Sequence, residues 1–369
     1  MRIREITFNN FRSFRGERWI SFVDPLTDMV RPLTVLAGSN GSGKTTVLKA
    51  IEALLNYVLN PDEPADFVRE AWETGLIRLV LEISPEELEP EDLPANLNTP
   101  VLVNVAVGQS NLAPAHPNQE WPNLFCHLVP RGTGGNHFKR KAPVVERLRK
   151  GILKMLQSPE ELRGGLLYFP HDRQLGDVRG GPVEPPPEER QWVFHFLPKV
   201  GWKGSLEQLW VWQNYLDLEK GNRTVSKMLP FVSQVEQILG ENRKITIQEG
   251  RVRVPVGWHT DQGEVPQVRL DQLPSGEQQV LLLFGELARR RRQGAVIAID
   301  EIENSLHPTL QRLTMWNLRQ LARDWDAQVI VTTHSLEVIN AVRGGAFINL
   351  DYPQNRFDLP IPDREAETA

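Results

Sequence analysis

A single cysteine, Cys126, excludes an internal disulfide and any cysteine cage for a metal. No apolar run approaches the roughly 20 residues that span a bilayer. Met1 to Phe14 alternates polar and apolar residues and lacks the continuous apolar stretch of a secretory signal. Neither sign of charge dominates: 42 Lys and Arg against 47 Asp and Glu leave a formal net charge of -5. That balance gives no global attraction to nucleic acid, although a local basic patch remains open. Internal repeats and sustained heptads are also missing, which excludes a solenoid and a long coiled coil. These absences favour a protein of the reducing cytoplasm with no membrane partner. Its 369 residues suffice for one large domain or two modest ones.

Periodicity divides what is present into four stretches. In 1–84, Ile3, Ile6, Phe8 and Phe11 give the broken alternation of a half-buried strand, and Leu33 to Ala37 is a buried strand entering a glycine-rich loop. Val47, Leu48, Ile51, Leu54, Leu55 and Val58 then recur at helical spacing until Asn60-Pro61, and Leu76 to Ile83 is a further strand. Residues 85–263 read as an inserted helical and β region. It holds strands at Val101 to Val107 and Leu166 to Phe169, helices at Val144 to Leu156, Ser205 to Lys220 and Ser226 to Leu239, and a proline-rich loop at 180–187. A strand pair, Lys244 to Gln248 and Arg251 to Val256, turns at Glu249-Gly250. In 264–352, helices alternate with the buried strands Ala295 to Ile299 and Gln328 to Thr332, which implies a parallel sheet. Residues 353–369 are a polar, proline-rich tail expected to fray. The fold class is α/β.

Gly38-Ser39-Asn40-Gly41-Ser42-Gly43-Lys44-Thr45 matches the Walker A pattern without deviation. Glycines let the loop turn its amides inward around the α- and β-phosphates of a nucleotide, and the following helix adds its N-terminal dipole. Asn40 to Thr46 are therefore the expected nucleotide-binding run, with Lys44 on the β- and γ-phosphates and the Thr45 hydroxyl on Mg²⁺. Val296 to Ile299 is an apolar strand that delivers Asp300 and Glu301 to its carboxyl end, where open α/β sheets bind ligands. Asp300 is the expected second Mg²⁺ ligand. Glu301 is the expected residue that orients or deprotonates the attacking water, with ATP as substrate.

Leu273-Pro274-Ser275-Gly276-Glu277-Gln278-Gln279 opens a helix, with Ser275 in the role of N-cap. Here the chain resembles the signature motif of ABC-type ATPases, in which a serine, a glycine and a helix N-terminus bind the γ-phosphate held by a partner subunit. Glu303-Asn304-Ser305-Leu306-His307-Pro308 stands where that group has its D-loop, and Val331-Thr332-Thr333-His334-Ser335 where it has its switch histidine. The resemblance is to the SMC, RecF and OLD-like branch. It covers both ends of the chain, about half its length, and the middle matches only loosely. Ile6 to Phe14 looks like that branch's N-terminal strand, in which the equivalent of Arg12 lies near the phosphates. The sequence departs from the transporter wording Leu-Ser-Gly-Gly-Gln, and its Q-loop is indistinct, with Gln174 the candidate.

The resemblance implies an ABC-type head with a mixed or parallel sheet, and a homodimer around ATP in which Ser275 and Gly276 act on the other copy's nucleotide. Glu301, His334 and Lys44 are then the catalytic set. The Glu303 to Pro308 wording resembles that of stand-alone prokaryotic ATPases, many of which serve anti-phage defence. Too little chain follows His334 for a Toprim nuclease, so a nuclease or toxin effector is expected as a separate chain. The alternative is a RecF-like DNA-repair ATPase that binds DNA, and a non-hydrolysing nucleotide sensor is disfavoured by Glu301. Lys139-Arg140-Lys141 with Arg147, Arg149 and Lys150 is read as a solvated basic face, with phosphate contacts to nucleic acid as the other reading. Arg289 to Arg292 complement the dipole of the signature helix. Trp192, Trp202, Trp210 and Trp212 are read as core rather than as a partner surface. His127, His137, His195 and His259 have no metal-ligand spacing.

Overall fold

A computed structural model describes residues 1–84, 87, 100–109, 124–125, 143–158, 162–176, 178–198, 201–219, 229–240, 243–256, 265–342 and 346–352. Lys139 to Lys141, Cys126, His127, His137, His259 and the tail from 353 lie outside the described residues. The chain forms two compact units. One comprises 1–31, 36–151 and 347–369, the other 32–35 and 152–346.

The chain begins with strands β1 (Arg2–Phe11), β2 (Phe14–Ser21) and β3 (Leu33–Ala37). Helices α1 (Lys44–Leu59) and α2 (Asp66–Thr74) follow, then β4 (Leu76–Ile83), β5 (Val101–Gly108), β6 (Leu124–Phe125) and α3 (Pro143–Met155). In the first unit the strand order is β2-β1-β4-β5-β6, antiparallel except for the last pair. The α1 and α2 helices pack on this sheet. The buried face of α1 is Val47, Leu48, Ile51, Leu54, Leu55 and Val58, the set that its spacing predicts. The β2 strand and the α2 helix escape the periodicity. β2 exposes Arg15, Gly16 and Glu17, and α2 buries only Val68 and Ala71, so neither carries a full apolar pattern.

The second unit continues with β7 (Leu166–Phe169), β8 (Val193–His195), α4 (Leu206–Glu219), α5 (Leu229–Leu239), β9 (Thr246–Gln248), β10 (Arg251–Pro255) and β11 (Gln267–Val268). Then come α6 (Ser275–Arg289), β12 (Val296–Ile299), α7 (Pro308–Asp324), β13 (Gln328–Thr333) and α8 (Leu336–Asn340). The last strand, β14 (Phe347–Asn349), belongs to the first unit. The β13, β12, β7 and β8 strands lie side by side and parallel. On the far side of β13 the leading residues of β3 follow, with the Val329 amide donating to the Pro32 carbonyl. Every residue of β7, β12 and β13 is buried, as a parallel sheet covered on both faces requires.

Around this sheet, Phe169, Phe194, Phe196, Trp210, Leu281, Phe284, Leu318 and Val331 share one apolar core. Each large side chain in it contributes about 1.5–3 kcal/mol by leaving water. Trp192, Trp202 and Trp210 are buried, in keeping with core, whereas Trp212 stacks on Tyr215 at a centroid distance of 5.4 Å. The turn between β9 and β10 has positive φ at both Glu249 and Gly250, the geometry of a two-residue hairpin loop.

The arginines after α6 do more than complement a helix dipole. Arg292 is buried and donates to the carbonyls of Gln191, Leu166 and Trp192, which pins the starts of β7 and β8 together. Burial pushes its guanidinium down to about 9, still above neutrality, so it remains a cation. Arg290 pairs with Glu286 and Glu189 and lies 3.7 Å over the Phe194 ring. Among the described residues, no helix is long and apolar enough to cross a membrane.

Candidate functional site

In the first unit the phosphate loop runs from Gly38 to Lys44. Gly43 has φ 100°, and a Cβ there would fall 2.4 Å from Phe14 Cζ and 2.7 Å from Ser13 Oγ. Only glycine meets both demands, the left-handed backbone and the close approach of the β1–β2 turn. Lys44 opens α1 and folds back, its Nζ donating to the carbonyls of Gly38 and Ser39 at 2.9 Å each. The Ser42 hydroxyl is buried with no hydrogen-bond partner. Asp351, just after β14, accepts the Ser39 amide at 2.9 Å and its hydroxyl at 2.7 Å.

Arg12 sits in the turn that packs on Gly43, with φ 50°. Its guanidinium engages Glu70 at 2.5 Å and covers the Phe67 ring at 4.3 Å. That contact holds the Glu70 carboxyl below the usual carboxylate range. The turn therefore meets the loop through Ser13 and Phe14, while the arginine itself is placed on α2.

In the second unit the four remaining motifs meet around the ends of parallel strands. Asp300 follows β12 and is fully buried. Its amide donates to the Phe169 carbonyl, and its Oδ1 accepts the Thr332 hydroxyl at 2.6 Å. The same hydroxyl oxygen accepts the Glu301 amide at 2.8 Å, so one side chain of β13 holds both acidic residues. His171 Nδ1 stands 3.7 Å from the other Asp300 oxygen. Arg173 donates to the carbonyls of Pro170 (3.0 Å), Asp300 (2.6 Å) and Glu301 (3.0 Å). Burial lowers its guanidinium to about 10 against the opposing pull of Asp300 and its acidic neighbours.

The segment after Glu301 links the other motifs. Glu303 accepts the Thr333 hydroxyl at 2.8 Å and the His334 amide, which fixes the backbone of the switch segment and leaves the His334 side chain exposed. Asn304 donates to the His171 carbonyl at 2.8 Å. Ser305 has φ 62°, and its carbonyl lies against Gly276, where a Cβ would approach to 2.7 Å. His307 accepts the Thr309 amide at the start of α7.

Ser275 is not the N-cap that the spacing predicts. Pro274 takes that position, no side chain caps the end, and Ser275 is the first helical residue, exposed to solvent. Proline already fixes the φ that the cap needs and carries no amide to satisfy. Gln279 of this helix donates to the Arg173 carbonyl at 2.6 Å. Gln174 is exposed, whereas its neighbour Arg173 is buried.

Taken separately, the loop's donors suit the phosphates of a nucleotide and the Asp300 carboxylate suits magnesium. The loop offers a lysine ammonium, an unpartnered buried hydroxyl at Ser42 and the start of a 16-residue helix, all suited to an anion. Asp300 offers a buried hard-oxygen ligand of the type magnesium prefers. No group of three or more His, Cys, Asp and Glu among the described residues could hold a metal alone. Magnesium fits that limit because it is commonly held by one or two carboxylates together with substrate phosphates.

Three contributors act in ways that the motifs do not announce. Thr332 lies inside the switch wording but acts on Asp300. Arg173 lies in the segment searched for a Q-loop glutamine, and Asp351 lies beyond every motif. Their contacts are with backbone groups or distant side chains, which leave no trace in residue spacing.

Two family models match the chain. One, described as "AAA ATPase domain", covers residues 1–90, and the other, described as "AAA domain, putative AbiEii toxin, Type IV TA system", covers 203–340. No curated protein matches. Among solved structures, the chain is similar to the SMC head domain from Thermotoga maritima, at 13% identity and a TM-score of 0.45, covering 95% of this chain and 94% of that one. It is also similar to an Smc head bound to the C-winged helix domain of ScpA, at 11% identity and a TM-score of 0.48, covering 95% and 94%. An Smc head with an extended coiled coil, from Pyrococcus furiosus, matches at 10% identity and a TM-score of 0.45, covering 94% and 92%.

Proposed function

We propose that the chain is an ATPase of the ABC-type, SMC/RecF-like class, that ATP joins two copies of it and that hydrolysis lets them part, a reading supported by the match of two AAA-domain models. Lys44 and the loop from Asn40 to Thr46 bind the phosphates, with Thr45 and Asp300 as the magnesium ligands. Bound magnesium supplies neutralisation of phosphate charge. Glu301 takes a proton from the attacking water, or orients it, while Thr332 and Arg173 hold its backbone. His334 is assigned to the γ-phosphate, with its backbone set by Glu303.

The observation that carries the paired reading is the start of α6. Its first turn has no side-chain cap, and Ser275 is exposed there. Uncapped helix amides favour an anion, and the γ-phosphate of a nucleotide held by a second copy supplies one. The pair gates a separate effector, a nuclease or toxin, in prokaryotic anti-phage defence. The description of the model matching 203–340 names a Type IV toxin–antitoxin system, a setting of more than one component, which supports a separate partner chain.

Glu301→Gln tests the cycle. Turnover is expected to fall by about 10²- to 10⁴-fold, and size-exclusion chromatography with light scattering should show a dimer that persists in ATP. Ser275→Arg should bind ATP as a monomer and fail to dimerise. An ATP-dependent dimer in the Ser275→Arg protein would refute the paired reading. ATPase activity stimulated by DNA, with a steep salt dependence, would replace the effector by a DNA-repair role.

A further inference from the structure

Arg173 is a buried cation, 1% exposed, that no motif explains. We propose that it is a positioning residue for hydrolysis. Its guanidinium sets the backbone of Asp300 and Glu301, and its own carbonyl ties that setting to the signature helix through Gln279. The proposal rests on the reading of Glu301 as the residue that acts on water.

The geometry at Glu301 is the reason. Its φ is 46°, in the left-handed region that a non-glycine residue rarely adopts. Such a conformation persists only where its surroundings impose it. Here both flanking peptide groups are held: the Glu301 amide by Thr332 Oγ1 at 2.8 Å, and the Glu301 carbonyl by Arg173 at 3.0 Å. Fixing the two peptide planes fixes the direction in which the side chain leaves the backbone. The second arm of the same guanidinium holds the Asp300 carbonyl at 2.6 Å, so the two acidic residues are set by one rigid fork. Lysine could supply the charge but not two donors at fixed separation.

The other end of the link is the Arg173 carbonyl, which accepts Gln279 Nε2 at 2.6 Å. Gln279 lies one helical turn beyond Ser275 on α6. A shift of α6 therefore moves the residue that holds Glu301. Through this link, engagement of Ser275 can reach the hydrolytic residue within one chain.

Steady-state kinetics on the full-length protein test this. Arg173→Lys should lower kcat by about 10- to 100-fold, the scale of a misplacement near 1 Å. KM and the Kd for a slowly hydrolysed ATP analogue should stay within about twofold, because the nucleotide contacts are elsewhere. Millimolar guanidinium should restore part of the kcat of Arg173→Ala and leave the unsubstituted protein unchanged. Gln279→Ala should lower kcat less than Arg173→Lys, and the double variant should lose no more than Arg173→Lys alone. A raised KM and Kd at unchanged kcat would overturn the proposal, since Arg173 would then serve the nucleotide directly. Unchanged kinetics would overturn it too, as would strictly additive losses in the double variant. If the Arg173 variants do not fold, Gln279→Ala decides through its kcat and KM alone: a fall in kcat supports the link and an unchanged kcat overturns it. Glu301→Gln separates the two readings. If it turns over normally, the role of Glu301 fails, whereas if it is slow, adding Arg173→Lys should change kcat no further.

Discussion

Two of the contacts of Lys44 are to neutral carbonyls of the loop that precedes it. A polyphosphate is a stronger acceptor for an ammonium, because its oxygens carry full negative charge where a carbonyl offers only a dipole. On the proposed assignment, nucleotide binding would draw the ammonium from the loop to the phosphates. Lys44→Ala removes a charge-assisted contact of about 1.5–3 kcal/mol, which corresponds to a roughly 10- to 150-fold rise in Kd. Titration with a fluorescent ATP analogue checks this, and an unchanged Kd would place the nucleotide elsewhere. The same scale shows why Thr332 matters: one hydroxyl donates to Asp300 and accepts from Glu301. A valine there would keep the volume and lose both bonds.

At the scale of elements, the contact between α6 and the segment after β12 depends on Gly276. Alanine is a better helix former than glycine by about 0.5–1 kcal/mol, so Gly276→Ala would stabilise a helix that packed loosely. In this structure the added Cβ would lie 2.7 Å from the Ser305 carbonyl, and backbone must shift to admit it. Overpacking of that kind costs about 1–3 kcal/mol. A net fall in Tm is therefore expected in thermal unfolding, together with lower ATPase activity, and a rise in Tm would disprove the close approach. Regular elements with a strong period were legible from spacing: α1, β3, β12 and β13 fall where their apolar residues predict them. By contrast β2 and α2, with few buried residues, were not, nor were β8 and β14, which have three residues each. Their existence depends on the strands and helices beside them rather than on a pattern of their own.

For the whole molecule, the proposed pairing makes the rate depend on protein concentration. Specific ATPase activity should rise with concentration and level off once the pairs are saturated, as mass action requires of a species formed from two copies. A specific activity constant over a hundredfold dilution would show that one chain suffices. Mixing an excess of Lys44→Ala protein with the unsubstituted chain offers a companion readout, since mixed pairs would contain one site unable to bind.

The chain of motifs was readable in advance because their chemistry is local. A phosphate loop needs glycines, a lysine and a helix start within eight consecutive residues, and a strand that ends in Asp-Glu carries its own signal. Alternating buried strands and helices at 296–340 likewise announce a parallel sheet through short-range spacing. The supports of those motifs could be found only in three dimensions. Thr332 reaches Asp300 across 32 residues, Arg173 reaches the same residue across 127, and Asp351 reaches Ser39 across 312. Each bond joins a side chain to a group that nothing nearby in the sequence selects, and two of the acceptors or donors are backbone atoms common to every residue type. Packing of the sheet chooses those partners, which is why nothing in the spacing singles out Arg173, a residue that the fold buries against the backbone of Asp300 and Glu301.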